Sequence, residues 1–303
     1  MRRRKQSARK TVDFFPNIER SEAVSSQQMM FVQDLSDWVI PYGRHTGNAD
    51  YKISISGRDA ESDRVRSLLE SISERDGGST REIVEQVVRS VAGKLAWMGL
   101  VRFEIYPEGE LLLLGEIPSH GLYALGRMFV QVVPKSEPDR GWQLSWVRAG
   151  SVWTISMPRA LGGVRRYRTL LKKLRRGDAV APSFWSPETM AATGVDIMAF
   201  NAMRERFIAA LTRKLGWNWR NSSQRGITEF YYFYRTLTFS RTQAILREYI
   251  VEQLNLLFVR LAIDAQIAVL GIPKPEEIDQ VIRDVVSGKT SFADAYKTTS
   301  LHR

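Results

Sequence analysis

The chain has 303 residues, 44 of them Lys or Arg against 33 Asp or Glu, for a formal net charge of +11. With no cysteine it is excluded from disulfides, thiolate-bound metals and thiol nucleophiles, and its histidines, His45, His120 and His302, are too scattered to suggest a metal site. Apolar runs such as Leu111 to Leu114 fall far short of the ~20 residues of a membrane span, and Met1 to Lys5 is no secretion signal, so a cytoplasmic chain with a polyanionic partner is expected.

Residues 1–26 carry Arg2, Arg3, Arg4, Lys5, Arg9 and Lys10. Like charges at this density repel, which predicts a mobile basic arm able to fold onto phosphates or a neighbouring subunit. Residues 27–158 read as one α+β domain. Phe31, Val32, Leu35, Trp38, Val39 and Ile40 form a short helical cluster ended by Pro41, and Tyr51, Ile53 and Ile55 alternate like a strand. Ser79 and Glu82 make a capping-box pair for a helix whose Ile83, Val84, Val87, Val88, Val91 and Leu95 recur at helical spacing, with Gly99 as its left-handed end. Val101, Phe103 and Ile105 then predict a half-buried strand, Pro107-Glu108-Gly109 a turn, and Leu111 to Leu114 the returning strand of a hairpin. Further strands are predicted over 127–133, 142–147 and 151–157.

Residues 159–190 read as a turn at Leu161-Gly162-Gly163, a basic helix over 164–176, and an extended connection held by Pro182 and Pro187. Residues 191–303 are mostly helical. Ile197, Phe200, Met203, Phe207, Ile208, Leu211 and Leu215 predict one amphipathic helix stopping at Gly216. Thr228 caps a second, Ser240 with Gln243 opens a third carrying Ile245 to Leu261, and Pro275 opens a fourth that Gly288 closes. The fold class expected is therefore α+β: an N-terminal mixed helix/strand domain with hairpins, followed by a mainly α-helical C-terminal part.

Between Asp139 and Asp178 there is no acidic residue, while Arg140, Arg148, Arg159, Arg165, Arg166, Arg168, Lys172, Lys173, Arg175 and Arg176 lie there, interleaved with Trp142, Trp146, Trp153 and Tyr167. A surface that tracks phosphates needs this, because each cation that displaces a condensed counterion adds salt-sensitive affinity. The candidate DNA-facing residues are Arg159, Arg165, Arg166, Arg168, Lys172, Lys173, Arg175 and Arg176; a solvated basic helix face is the competing reading. The basic helix shows no apolar face for a bilayer, which argues against a membrane partner. Trp217 and Trp219, beside Arg220, are read as stacking or packing residues.

No catalytic constellation stands out. Asp34 with Asp37, and Asp59 with Glu61 and Asp63, lack the His or Lys companions of a nuclease centre. Gly77-Gly78-Ser79-Thr80 lacks the lysine of a phosphate loop and reads as a turn plus helix cap. Tyr231, Tyr232 and Tyr234 lack the His/Arg set of a tyrosine recombinase. The expectation is a non-enzyme without cofactor or metal.

The order of elements resembles that of tailed-bacteriophage portal proteins. Arg81 to Val88, running through Leu95, Gly99 and Phe103-Glu104-Ile105-Tyr106, looks like their early helix-plus-strand. Leu144-Ser145-Trp146-Val147 through Pro158-Arg159-Ala160-Leu161-Gly162-Gly163 resembles their strand followed by a Gly/Pro turn into a helix. Leu211 to Trp219, Gly226 to Phe230, and Leu237 on to Leu254-Asn255-Leu256-Leu257 are similar to their late segment. The chain is short for that family and more basic. The resemblance implies a ring, usually of twelve subunits, at a capsid vertex, formed in the host cytoplasm and retained in the virion. Such a ring is a conduit for double-stranded DNA with capsid, terminase and connector proteins as partners, and the basic helix would be stem-like. The alternative is a non-catalytic nucleic-acid-binding protein of a mobile element or defence system.

Overall fold

The computed structural model of the chain describes residues 26–40, 51–73, 78–117, 122–134, 142–179, 197–218 and 228–299. Its elements run α1 (Ser26–Asp37), β1 (Lys52–Ser56), α2 (Asp63–Glu70), α3 (Thr80–Met98), β2 (Leu100–Glu108), β3 (Leu111–Glu116), β4 (Leu122–Leu125), β5 (Met128–Pro134), β6 (Trp142–Arg148) and β7 (Val152–Ser156). After these come α4 (Gly163–Ala179), α5 (Ile197–Thr212), α6 (Glu229–Arg260), β8 (Gln266–Leu270), α7 (Pro275–Val286) and α8 (Phe292–Thr299). The fold is α+β: helices and antiparallel strands first, a mainly helical part after them.

The strands form three antiparallel sheets, ordered β1-β8, β3-β2-β7 and β4-β5-β6. Helix α3 is the central element. Ser79 accepts from the Glu82 amide while the Glu82 carboxylate accepts from the Ser79 amide, the reciprocal cap expected from the sequence. Gly99, at φ 71°, ends the helix and turns the chain directly into β2. Ile83, Val84, Val87, Val88, Val91 and Leu95 are fully buried, each stabilising the fold by about 1.5–3 kcal/mol relative to exposure. Against this helix pack α1, α2, β1 and α6, while α4 packs on α1, so one core runs from Phe31 through Leu174 to Phe258 and Ile272. Tyr167, Leu171 and Leu174 of α4 belong to the same core as the buried face of α3. A smaller cluster joins the first turns of α6, through Phe233 and Leu237, to Val285 of α7 and Ala295 of α8.

Several elements differ from expectation. The β2–β3 hairpin turns at Gly109-Glu110, and Pro107 and Glu108 remain in the strand, paired with Leu112 and Leu111. Ser240 opens no new helix, because α6 is continuous over 32 residues from its Thr228 cap. Gln243 instead donates to the Asp34 carbonyl, and Thr242 to that of Leu215. Helix α5 ends at Thr212, before a turn to Gly216, and buries Ile208 while Met203 and Phe207 stay exposed, so its apolar face is narrower than the periodicity suggested. Helices α2 and α8 and strands β4 and β8 are additions to the predicted set.

Candidate nucleic-acid interface

Helix α4 starts where Gly162, at φ 99°, ends a short turn over Arg159–Leu161. Tyr167, Leu171 and Leu174 recur at spacings of four and three and are buried, so one stripe of the helix faces the core. The expectation that this helix lacks an apolar face is thereby corrected: the face exists and the protein itself covers it. The Tyr167 hydroxyl donates to the Ala96 carbonyl at 2.8 Å, and burial pushes that phenol far above its ordinary range. The Phe31 ring lies 6.3 Å from that of Tyr167 and 5.3 Å from that of Trp217, joining α1, α4 and the segment after α5.

The cations follow from this anchoring. At 100° per residue, Arg165, Lys172 and Arg176 fall on the stripe opposite the buried one, over about 16 Å of helix, with Arg166 and Lys173 along one flank. Arg159, Arg165, Arg166, Lys172, Lys173 and Arg176 are all exposed, and none has a carboxylate partner among the described residues. Arg168 and Arg175 differ. The Arg168 Nε donates to the Met98 carbonyl at 2.8 Å, satisfying a carbonyl at the end of α3, so it serves as a helix-end cap as well as a surface charge. Arg175 is half-buried and engaged within the protein.

Arg102 on β2 adds to the same electropositive corner. Its guanidinium sits 5.5 Å from the Phe129 ring centre and is held below its ordinary range, first by desolvation and then by the nearby charge of Arg168. Sequence reasoning missed it because an arginine alternating with Val101 and Phe103 reads as the solvent side of a strand.

No family model, curated protein or solved structure matches the chain. The assignment of a function therefore rests on the chain's own chemistry.

The remaining candidates are used structurally. Trp217 is 2% exposed and donates from Nε1 to Asp34 Oδ2 at 2.8 Å, so of the two roles considered for it the structure gives packing, and its ring offers no face to a base. Asp59 accepts from the Asp264 amide at 2.8 Å and fastens the end of β1 to the start of β8, while Asp63 lies in the first turn of α2. Arg58 in turn donates to Asp264 and holds its carboxyl below the ordinary range. Among the described residues no cluster of three or more His, Cys, Asp or Glu side chains can hold a metal ion, and no helix is long and apolar enough to cross a membrane. Trp219, the arm residues Arg2, Arg3, Arg4 and Lys5, and the connection at Pro182 and Pro187 lie outside the described residues.

Proposed function

We propose that this chain is a structural, non-catalytic subunit of a portal-like ring that conducts double-stranded DNA, with the outer face of α4 turned toward the duplex. The observation that carries the reading is the exposed set Arg165, Arg166, Lys172, Lys173 and Arg176, without carboxylate partners among the described residues, on a helix whose opposite stripe is locked into the core. Phosphates gain from such a surface by counterion release, and its contacts are several, individually weak and indifferent to base sequence. That suits a conduit, since tight binding would stall a moving duplex. The order of helix, strands, Gly/Pro turn and long capped helix supports the portal-like form of the reading.

The test is the mass in solution at moderately high salt, by light scattering, followed by negative-stain imaging of the largest species. A closed ring with a central hole is the expected result. A monomer or dimer that binds duplex DNA and persists at high protein concentration overturns the ring and leaves a nucleic-acid-binding protein of a mobile element or defence system.

A further inference from the structure

Sheet β4-β5-β6 has one face covered and one that is exposed along its two outer strands, with Val130 of the central strand buried. Phe129 and Val147 on its inner face pack with Ile117 and Val152. On the other face, Tyr123 stands opposite Val130 and Val130 opposite Trp146, and the next row pointing the same way sets Leu125 against Met128 and Met128 against Arg148. Tyr123, Leu125, Leu144 and Trp146 are 63%, 57%, 58% and 55% exposed. A contiguous apolar patch of this kind marks an interaction site. Its charged residues are Arg127 and Arg148, both exposed, and none of the three strands carries a carboxylate. Tyr, Trp and Arg without Lys, Asp or Glu is the composition of the centre of a protein–protein interface.

The last turns of α6 carry a second patch. Leu254, Leu257 and Phe258 are buried, yet Leu256 and Val259 are 53% and 74% exposed. With Glu252 they stand at spacings of four and three, forming one exposed stripe. Glu252 has no cationic partner among the described residues. The stripe cannot roll inward, because the adjacent Arg260 donates to the carbonyls of Val152, at 3.1 Å, and Gly150.

We propose that the open face of β4-β5-β6 in one copy docks on the Glu252–Leu256–Val259 stripe of a second copy, with Arg148 meeting Glu252. The two patches complement each other: one apolar with cationic edges, the other apolar with an anionic end. The inference rests on the ring reading above and names its surfaces, since contact between two different patches of one chain is what propagates a ring. A nucleic acid on the sheet face is disfavoured because it would leave the α6 stripe bare.

The experiment compares mass by light scattering for the full chain, Trp146→Asp and Val259→Asp, with circular dichroism confirming the fold; Trp146→Ser and Val259→Ser replace either variant that does not fold. Each variant is expected to dissociate to monomers, and a mixture of the two to stop at dimers, because each retains one intact patch. Arg148→Glu and Glu252→Arg should each weaken association about tenfold, and the double exchange R148E/E252R should restore it. A ring whose mass none of these substitutions changes overturns the pairing and leaves the ring. A wild-type chain that stays monomeric overturns both. Unchanged mass with lost binding of a single-stranded oligonucleotide in Trp146→Asp assigns the face to nucleic acid and overturns the pairing.

Discussion

The indole Nε1 of Trp217 donates to the carboxylate of Asp34 at 2.8 Å, joining two positions 183 residues apart. The bond ties the segment that follows α5 to α1, and the Trp217 ring meets Phe31 edge-on at the same place. Trp217→Phe keeps the ring contact and removes the donor to a carboxylate, a loss of about 1.5–3 kcal/mol. Asp34→Asn retains an acceptor and is expected to cost less than half as much. Chemical denaturation of the two variants checks the ranking.

Gly216 holds φ at 78°, and a Cβ built there would lie 2.5 Å from both the Arg235 carbonyl oxygen and the Phe239 amide nitrogen. Both obstacles are α6 backbone and cannot swing aside. Gly216→Ala therefore combines a left-handed backbone penalty with overpacking, together about 3 kcal/mol or more. Thermal unfolding should show a lowered midpoint, whereas Gly150→Ala, with open space around its Cβ, should not.

Replacing Arg165, Arg166, Lys172 and Lys173 together by Glu is expected to abolish measurable duplex binding at moderate salt without unfolding the chain, because all four side chains are exposed. Replaced singly by Gln, each residue in contact should lower the slope of log affinity against log salt by about 0.9. Arg168 is left out because it also caps α3 through the Met98 carbonyl. Fluorescence anisotropy of a labelled duplex across a salt series measures both quantities, and an unchanged slope would overturn the proposal that α4 faces DNA.

The Glu82 carboxyl is held below its ordinary range, chiefly by the Ser79 amide and next by the Ser79 hydroxyl. Because the unfolded chain takes up this proton first, the contribution of the cap is fully present above the unfolded pKa and is lost as pH falls through the folded one. Stability should therefore drop below about pH 4.5, the ordinary value of this group being 4.5. In Glu82→Gln that part of the drop should vanish, which denaturation at a series of pH values would show.

Legibility in the sequence followed the range of each interaction. Ser79 with Glu82 and Thr228 with Tyr231 are bonds within one helical turn, and both were readable. Ser240 and Gln243 imitate such a cap, but Gln243 and its neighbour Thr242 send their hydrogen bonds to Asp34 and Leu215, which no local pattern reveals. Strand β8 went unseen because its five residues acquire meaning only opposite β1. The acid-free interval was readable as a whole. Its division into buried Tyr167 and Trp153, capping Arg168 and exposed Trp146 required knowledge of which face each element turns to the core.

The pairing of β1 with β8 sets Ile53 beside Val269 and Ile55 beside Ile267, joining strands more than 200 residues apart. During synthesis at about 5–20 residues per second, β1 leaves the ribosome many seconds before its partner exists. Until then its edge is unsatisfied and open to mispairing, and Asp59 has no Asp264 to hold. Closure of this small sheet therefore waits for residues made more than 200 positions after β1, which makes it one of the last long-range pairings the chain can form.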